Sequence, residues 1–274
     1  MKRALAGVAL CLLAVGAAHA GTISDNFESY AVGTFPSPTW MDAGAVFADP
    51  RTPVPSATVI ATTDAFGQST QALQIANAVS YSRGIYATVP VSTQYSLAAD
   101  IRVDQYSDQP EGPAADWAMQ LTFAQAGVDN FCCTPQSGIY ASSLTGGWRL
   151  FVTSSGPNAD LDLGAAASVG TWYTVSLGFD VTTATFHSVI TDEATGIVLV
   201  DRFDVVPGLN IGNTQYDSIA FFGGEVSSND TIADVGTVDN VNISSTPTPE
   251  PTTYLLVGPA LTLLASRLRK RQHK

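Results

Sequence analysis

From residue 57 to residue 243 the chain is a succession of short apolar or alternating runs, at 57–61, 72–76, 85–89, 95–103, 117–124, 148–152, 172–179, 185–191, 197–200, 219–222 and 238–243. The runs are rich in Val, Ile, Thr, Tyr and Phe, which pack well on a pleated surface. Gly, Pro, Asn, Asp and Ser fill the gaps between them, and little of the chain keeps a helical period of about 3.6 residues. Strands spaced in this way predict an all-β fold, an antiparallel jelly-roll β-sandwich whose longer gaps are loops. Helix is expected only at the two ends, as an N-terminal signal helix and a short C-terminal transmembrane helix.

The most regular stretch is GTWYTVSLGFDVTTATFHSVITDEATGIVLVD, at 170–201. Val175, Leu177 and Phe179 alternate with Ser176, Gly178 and Asp180, so one face is apolar and the other polar. Turns at 180–184 and 192–196 divide the stretch into a three-stranded meander, and Trp172 is assigned to the core. This meander resembles the W-Y-x-V meander of laminin-G-like domains in the concanavalin A-like lectin and glucanase superfamily. DNFESYAVGTFPSPTW at 25–40 and VDNVNIS at 238–244 resemble the first and last strands of such exported jelly rolls.

Both termini differ from this body. Lys2 and Arg3, the apolar run 5–15 and Ala18-His19-Ala20 read as a secretory signal with an A-x-A cleavage site, so signal peptidase is an expected partner and Gly21 the mature start. At 246–251 a Thr and Pro spacer ends in Pro249-Glu250-Pro251, followed by an apolar segment at 254–265 and a basic cluster with Arg267, Arg269 and Arg271. That order resembles the PEP-CTERM sorting signal of Gram-negative bacteria. The resemblance implies recognition by the membrane enzyme exosortase and removal of residues 252–274; the bland alternative is a plain membrane anchor. The apolar segment is short for a span of about 20 residues, and the positive-inside rule places the arginines in the cytoplasm. The division is therefore signal peptide 1–20, sandwich 21–245 and sorting signal 246–274. The expected route is export through the inner membrane, transient anchoring, and release to the cell surface or beyond.

Removing the termini changes the charge picture. The whole chain carries −12, but residues 21–251 keep five arginines and no lysine against 24 carboxylates, a formal charge of −19. Such a surface repels phosphate backbones, which excludes nucleic acid as a partner and makes calcium the first metal to consider. Cysteine is sparse: after signal removal only Cys132-Cys133 remains, either as a vicinal disulfide or as two separate buried thiols. The fold must be stabilised by burial.

No catalytic residues are assigned. The glutamates Glu28, Glu111, Glu193 and Glu225 lack the E-x-D-x-x-E spacing of the glucanases. The body's lone histidine, His187, sits in a predicted strand, where an exposed or satisfied side chain outweighs a catalytic base. For sugar recognition, which stacks pyranose rings on aromatic faces, the candidates are Trp40, Trp117, Tyr140 and Trp148, although Trp117 and Trp148 begin apolar runs, where such rings are more often core or rim aromatics than platforms. For calcium, Asp25, Glu28, Asp239 and Asn240 lie near chain ends that neighbour each other in jelly rolls; Asp104, Asp108 and Glu111 form another acidic loop. The expectation is a non-catalytic exported protein that binds carbohydrate or serves an exopolysaccharide or biofilm matrix. The competing classes are a purely structural surface protein and a divergent glycosidase.

Overall fold

Period-two alternation sends successive side chains to opposite faces of a strand, and burying the apolar face requires a second layer. The computed structural model describes residues 21–42, 57–76, 84–106, 117–124, 136–153, 159–206, 216–223 and 234–247. In chain order the strands are β1 (Gly21–Asp25), β2 (Met41–Asp42), β3 (Ala57–Thr63), β4 (Ser69–Ala76), β5 (Gly84–Thr88), β6 (Ser92–Gln105), β7 (Trp117–Ala124), β8 (Gln136–Ser142), β9 (Gly147–Thr153), β10 (Ala159–Ala166), β11 (Trp172–Asp180), β12 (Thr185–Asp192), β13 (Ile197–Val205), β14 (Ser218–Gly223) and β15 (Val235–Pro247). Among the described residues they form two antiparallel sheets. The first runs β13-β12-β11-β6-β15-β4-β3, with β1 also on β15, and the second runs β10-β9-β8-β7-β14-β5-β2. Gly21–Thr246 form one compact unit. The all-β antiparallel sandwich is as expected; the two terminal helices lie outside the described residues.

Each of the eleven runs is a strand, and the meander folds as β11-β12-β13 with the expected turns. The segment 25–40 corrects the expectation of a first strand. That strand is β1, which ends at Asp25, and the following residues turn inward to bury Phe27 and Trp40. At the other end β15 continues to Pro247, into the first residues of the predicted spacer.

The core lies between the sheets. Leu97, Ala99, Ile101 and Val103 of β6 and Val175, Leu177 and Phe179 of β11 face Leu121 and Phe123 of β7, Ile139 of β8 and Phe221 of β14. Gly138 in β8 has a steric reason: a Cβ there would lie 2.2 Å from the Leu121 carbonyl oxygen and 2.8 Å from the Thr122 Cα. β15 carries a bulge, since Val238 and Val241 are both core residues with two residues between them, and Asn240 takes a left-handed φ of 47°. A second bulge lies in β13: Ile190 pairs with Val200 but Thr191 with Val198, leaving Leu199 as the extra residue. Val200 is buried in the core. Arg202 and Asp204 continue on its side, so Phe203 and Val205 point outward.

Candidate functional site

The outer face of the first sheet follows from strand register. Ser96 of β6 pairs with Gly178 of β11, Gly178 with His187 of β12, and His187 with Phe203 of β13, so these side chains form one row across four strands. The neighbouring row is Gln94, Asp180, Thr185 and Val205. Ser96 and Gly178 are the small members, so the surface sinks between them and the taller His187 and Phe203. The result is a groove of about 430 Å³, which also reaches Thr183 and Ser244.

The walls are ordered by their own contacts. The rings of His187 and Phe203 stack face to face, 4.0 Å apart and 9° from parallel, while Phe203 stays 68% exposed. His187 Nε2 is 2.8 Å from Asp201 Oδ1, which fixes the imidazole. On the opposite wall Asp180 accepts from the Thr182 backbone N–H at 2.8 Å, the Thr182 hydroxyl at 2.6 Å and the Gln94 amide at 3.1 Å. These donors, the Thr182 hydroxyl first, hold the Asp180 carboxyl below its ordinary range. The groove therefore joins an exposed aromatic ring to a fixed carboxylate, an amide and hydroxyls. His187 is the satisfied strand histidine expected from the sequence.

The predicted aromatic candidates lie elsewhere. Trp40 is 1% exposed, packs on Phe27 and Phe221, and donates its indole N–H to Asp25 at 2.8 Å. Trp148 is buried in the core against Tyr173. Tyr140 is on the outer face of the second sheet, yet buried, donating to Asp160 and meeting Phe151 edge-on. None of these three rings offers a face to a ligand, because protein already covers it. Trp117 opens β7, but its side chain lies outside the described residues. Trp172 is buried, as expected, on the outer face beneath the Arg102 guanidinium, 4.7 Å from its ring centre, while Tyr173 packs between the sheets. The residues that sequence reasoning missed are Phe203, Gly178, Ser96, Gln94 and Asp180. The available signal was the alternation Arg202-Phe203-Asp204-Val205, whose facing depends on the β13 bulge.

The four predicted calcium ligands are engaged by different protein partners. Asp25 accepts from the Phe27 N–H, the Tyr30 hydroxyl and the Trp40 indole, so it closes the turn after β1. Glu28 and Asp239 do converge, but on the Thr70 hydroxyl, at 2.8 and 3.3 Å. Asn240 donates its amide to Asp100 at 2.8 Å. Asp104 is bound to Arg102 and Thr237. Among the described residues no group of three or more His, Cys, Asp or Glu side chains is arranged to hold a metal ion. The sorting residues Pro249, Glu250, Pro251, Arg267, Arg269 and Arg271, the pair Cys132-Cys133, and Asp108 and Glu111 lie outside the described residues.

Two carboxyls of this acidic region are shifted upward. Burial, aided by the charges of Asp100 and Glu28, pushes the Asp239 carboxyl up to about 6. Burial and the charges of Asp100, Asp64 and Asp239 push Glu193 up to about 7. A folded-state pKa raised above the unfolded value gives stability that is complete below the unfolded pKa and lost as pH rises through the folded one. Asp180 and Glu28 are shifted downward, so their contribution is lost only in stronger acid. The melting temperature should therefore peak near pH 4 and fall between about pH 4 and 7, by about 4 °C for a loss on the order of 1–2 kcal/mol. Scanning calorimetry of wild type and Asp239→Asn checks this. The variant should flatten the decline, and an equal decline in both would contradict the assignment.

With the geometry established, known proteins give a context. No protein-family model matches the chain, and no curated protein sequence does. Among solved structures, arcelin-5, a lectin-like defence protein from Phaseolus vulgaris, superposes with a TM-score of 0.51 at 10% identity, covering 84% of this chain and 100% of that one. Peanut lectin superposes with a TM-score of 0.49 at 11% identity, covering 82% and 98%. A sialidase superposes with a TM-score of 0.47 at 13% identity, and the match spans 82% of this chain but only 18% of that one. The body has the two-sheet antiparallel sandwich fold that arcelin-5 also has.

Proposed function

We propose that this chain is an exported, exosortase-sorted β-sandwich that binds carbohydrate without catalysis, through the groove on the outer face of its first sheet, and serves an extracellular polysaccharide matrix. One observation carries the reading: the Phe203 and His187 stack stands exposed beside a floor of Ser96 and Gly178 and opposite Asp180 and Gln94. A saccharide needs an apolar ring face for its C–H groups and polar atoms at the rim for its hydroxyls. The groove has both. Its volume of about 430 Å³ falls within the range of about 300–1,000 Å³ common to small-ligand sites. The fold alone does not carry the proposal, since a shared sandwich hosts many functions. The export route rests on the signal peptide and the tripartite tail.

Two measurements test the two halves. Calorimetric titration of the released protein with a panel of oligosaccharides should find binders that Phe203→Ala weakens about tenfold or more, the scale of an anchor residue worth more than 1 kcal/mol. A panel without a binder would sink the carbohydrate half. Intact mass of protein released from exporting cells should lack residues 252–274, and finding Lys274 on it would sink the sorting half.

A further inference from the structure

The charges around the groove go further than the general reading on which this inference rests. Asp180 is held by Thr182 and Gln94, which are neutral donors, so its negative charge stays uncompensated. Asp201 stands beside the ring wall, bound to His187. Among the described residues no Lys or Arg lines the groove.

Among the described residues the arginines are Arg102, Arg149 and Arg202, and each is already bound to an aspartate: Asp104 at 2.5 Å, Asp160 at 2.9 Å and Asp204 at 2.5 Å. Arg202 also donates to the Asp162 carbonyl at 2.9 Å. The body as a whole keeps five arginines and no lysine against 24 carboxylates. A field of this sign raises the local concentration of cations and repels anions.

We infer that the groove selects saccharide units with a free amine, the ammonium facing Asp180 while the sugar ring lies beside the His187 and Phe203 stack, and that it rejects uronic-acid polymers. An ammonium supplies the charge-assisted donor that the carboxylate lacks, and such bonds are stronger than neutral ones. An N-acetyl group at the same position removes that charge. A uronate brings a second anion to a site without a cation.

The test compares hexamers of glucosamine, N-acetylglucosamine and galacturonate, titrated into the released protein at a pH where the amine is protonated. At low salt the glucosamine hexamer should bind about fivefold more tightly than its acetylated counterpart, the scale of a partly exposed ion pair. The advantage should vanish near 0.5 M salt, where screening is nearly complete beyond roughly 4 Å. It should also vanish in Asp180→Asn, which keeps an acceptor for Thr182. The galacturonate hexamer should not bind. Equal binding of the two amino-sugar hexamers at low salt, or an advantage indifferent to salt, would overturn the selectivity yet leave the carbohydrate reading standing. Failure of every saccharide to bind would overturn both. The salt series uses wild type alone, so the outcome does not depend on how well the variant folds.

Discussion

Trp40→Ala should lower the melting temperature by about 10 °C, the largest single effect expected from the sites named above. The ring is 1% exposed between Phe27 and Phe221, so truncation removes buried aromatic surface and leaves a cavity. Such losses cost about 3–5 kcal/mol, and a domain of this size loses about 2–4 °C per kcal/mol. The substitution also takes one of three donors from Asp25. Trp40→Phe separates the two effects: it keeps most of the packing and loses only the indole bond, at about 1.5–3 kcal/mol for a hydrogen bond to a charged group. Thermal melts of the three proteins should fall in the order wild type, Trp40→Phe, Trp40→Ala. A Trp40→Ala protein as stable as wild type but impaired in sugar binding would restore Trp40 as a binding platform.

Gly178→Val should abolish measurable saccharide binding while leaving stability nearly unchanged. A Cβ at 178 would meet its nearest neighbour, the His187 Cβ, at 3.5 Å, an ordinary contact, so the backbone accepts a side chain there. Valine suits a strand, and its methyl groups would occupy the floor beside the imidazole. The affinity loss should exceed about tenfold, as expected when a central contact surface is removed. Calorimetric titration and a thermal melt on the same sample read both effects. Unchanged affinity in a folded Gly178→Val protein would mean that ligand binds elsewhere.

These two substitutions also show what the sequence could and could not reveal. Strand runs were legible because period-two alternation is local: Val175, Leu177 and Phe179 declare their face without reference to any other strand. β8 and β10 are not legible in this way. QSGIYAS in β8 is buried on both faces and depends on a glycine whose need arises only from the approach of Leu121 and Thr122. β10 does alternate, Asp160 and Asp162 against Leu161 and Leu163, but aspartate is a poor strand former and masks the pattern. For the site, tryptophan content was a misleading guide. Trp40 and Trp148 are large enough to be drawn into the core, and their exposure depends on partners far along the chain. The groove depends on cross-strand register, which brings Ser96, Gly178, His187 and Phe203 into one row from positions more than a hundred residues apart. The bulge at Leu199 then decides that Phe203 faces outward. The predicted calcium ligands likewise depend on partners far along the chain. Neighbouring chain ends do bring Glu28 and Asp239 together, but on Thr70, while Asp25 turns to Tyr30 and Trp40.

The central claim is the location of the binding face. The most direct measurement is chemical-shift mapping of the isotope-labelled released protein, titrated with its tightest-binding oligosaccharide. The account predicts the largest shifts at Ser96, Gly178, Asp180, His187 and Phe203, including the His187 ring, with the second sheet little changed. Shifts concentrated instead around Tyr140, Arg149 and Asp160 on the second sheet would contradict it.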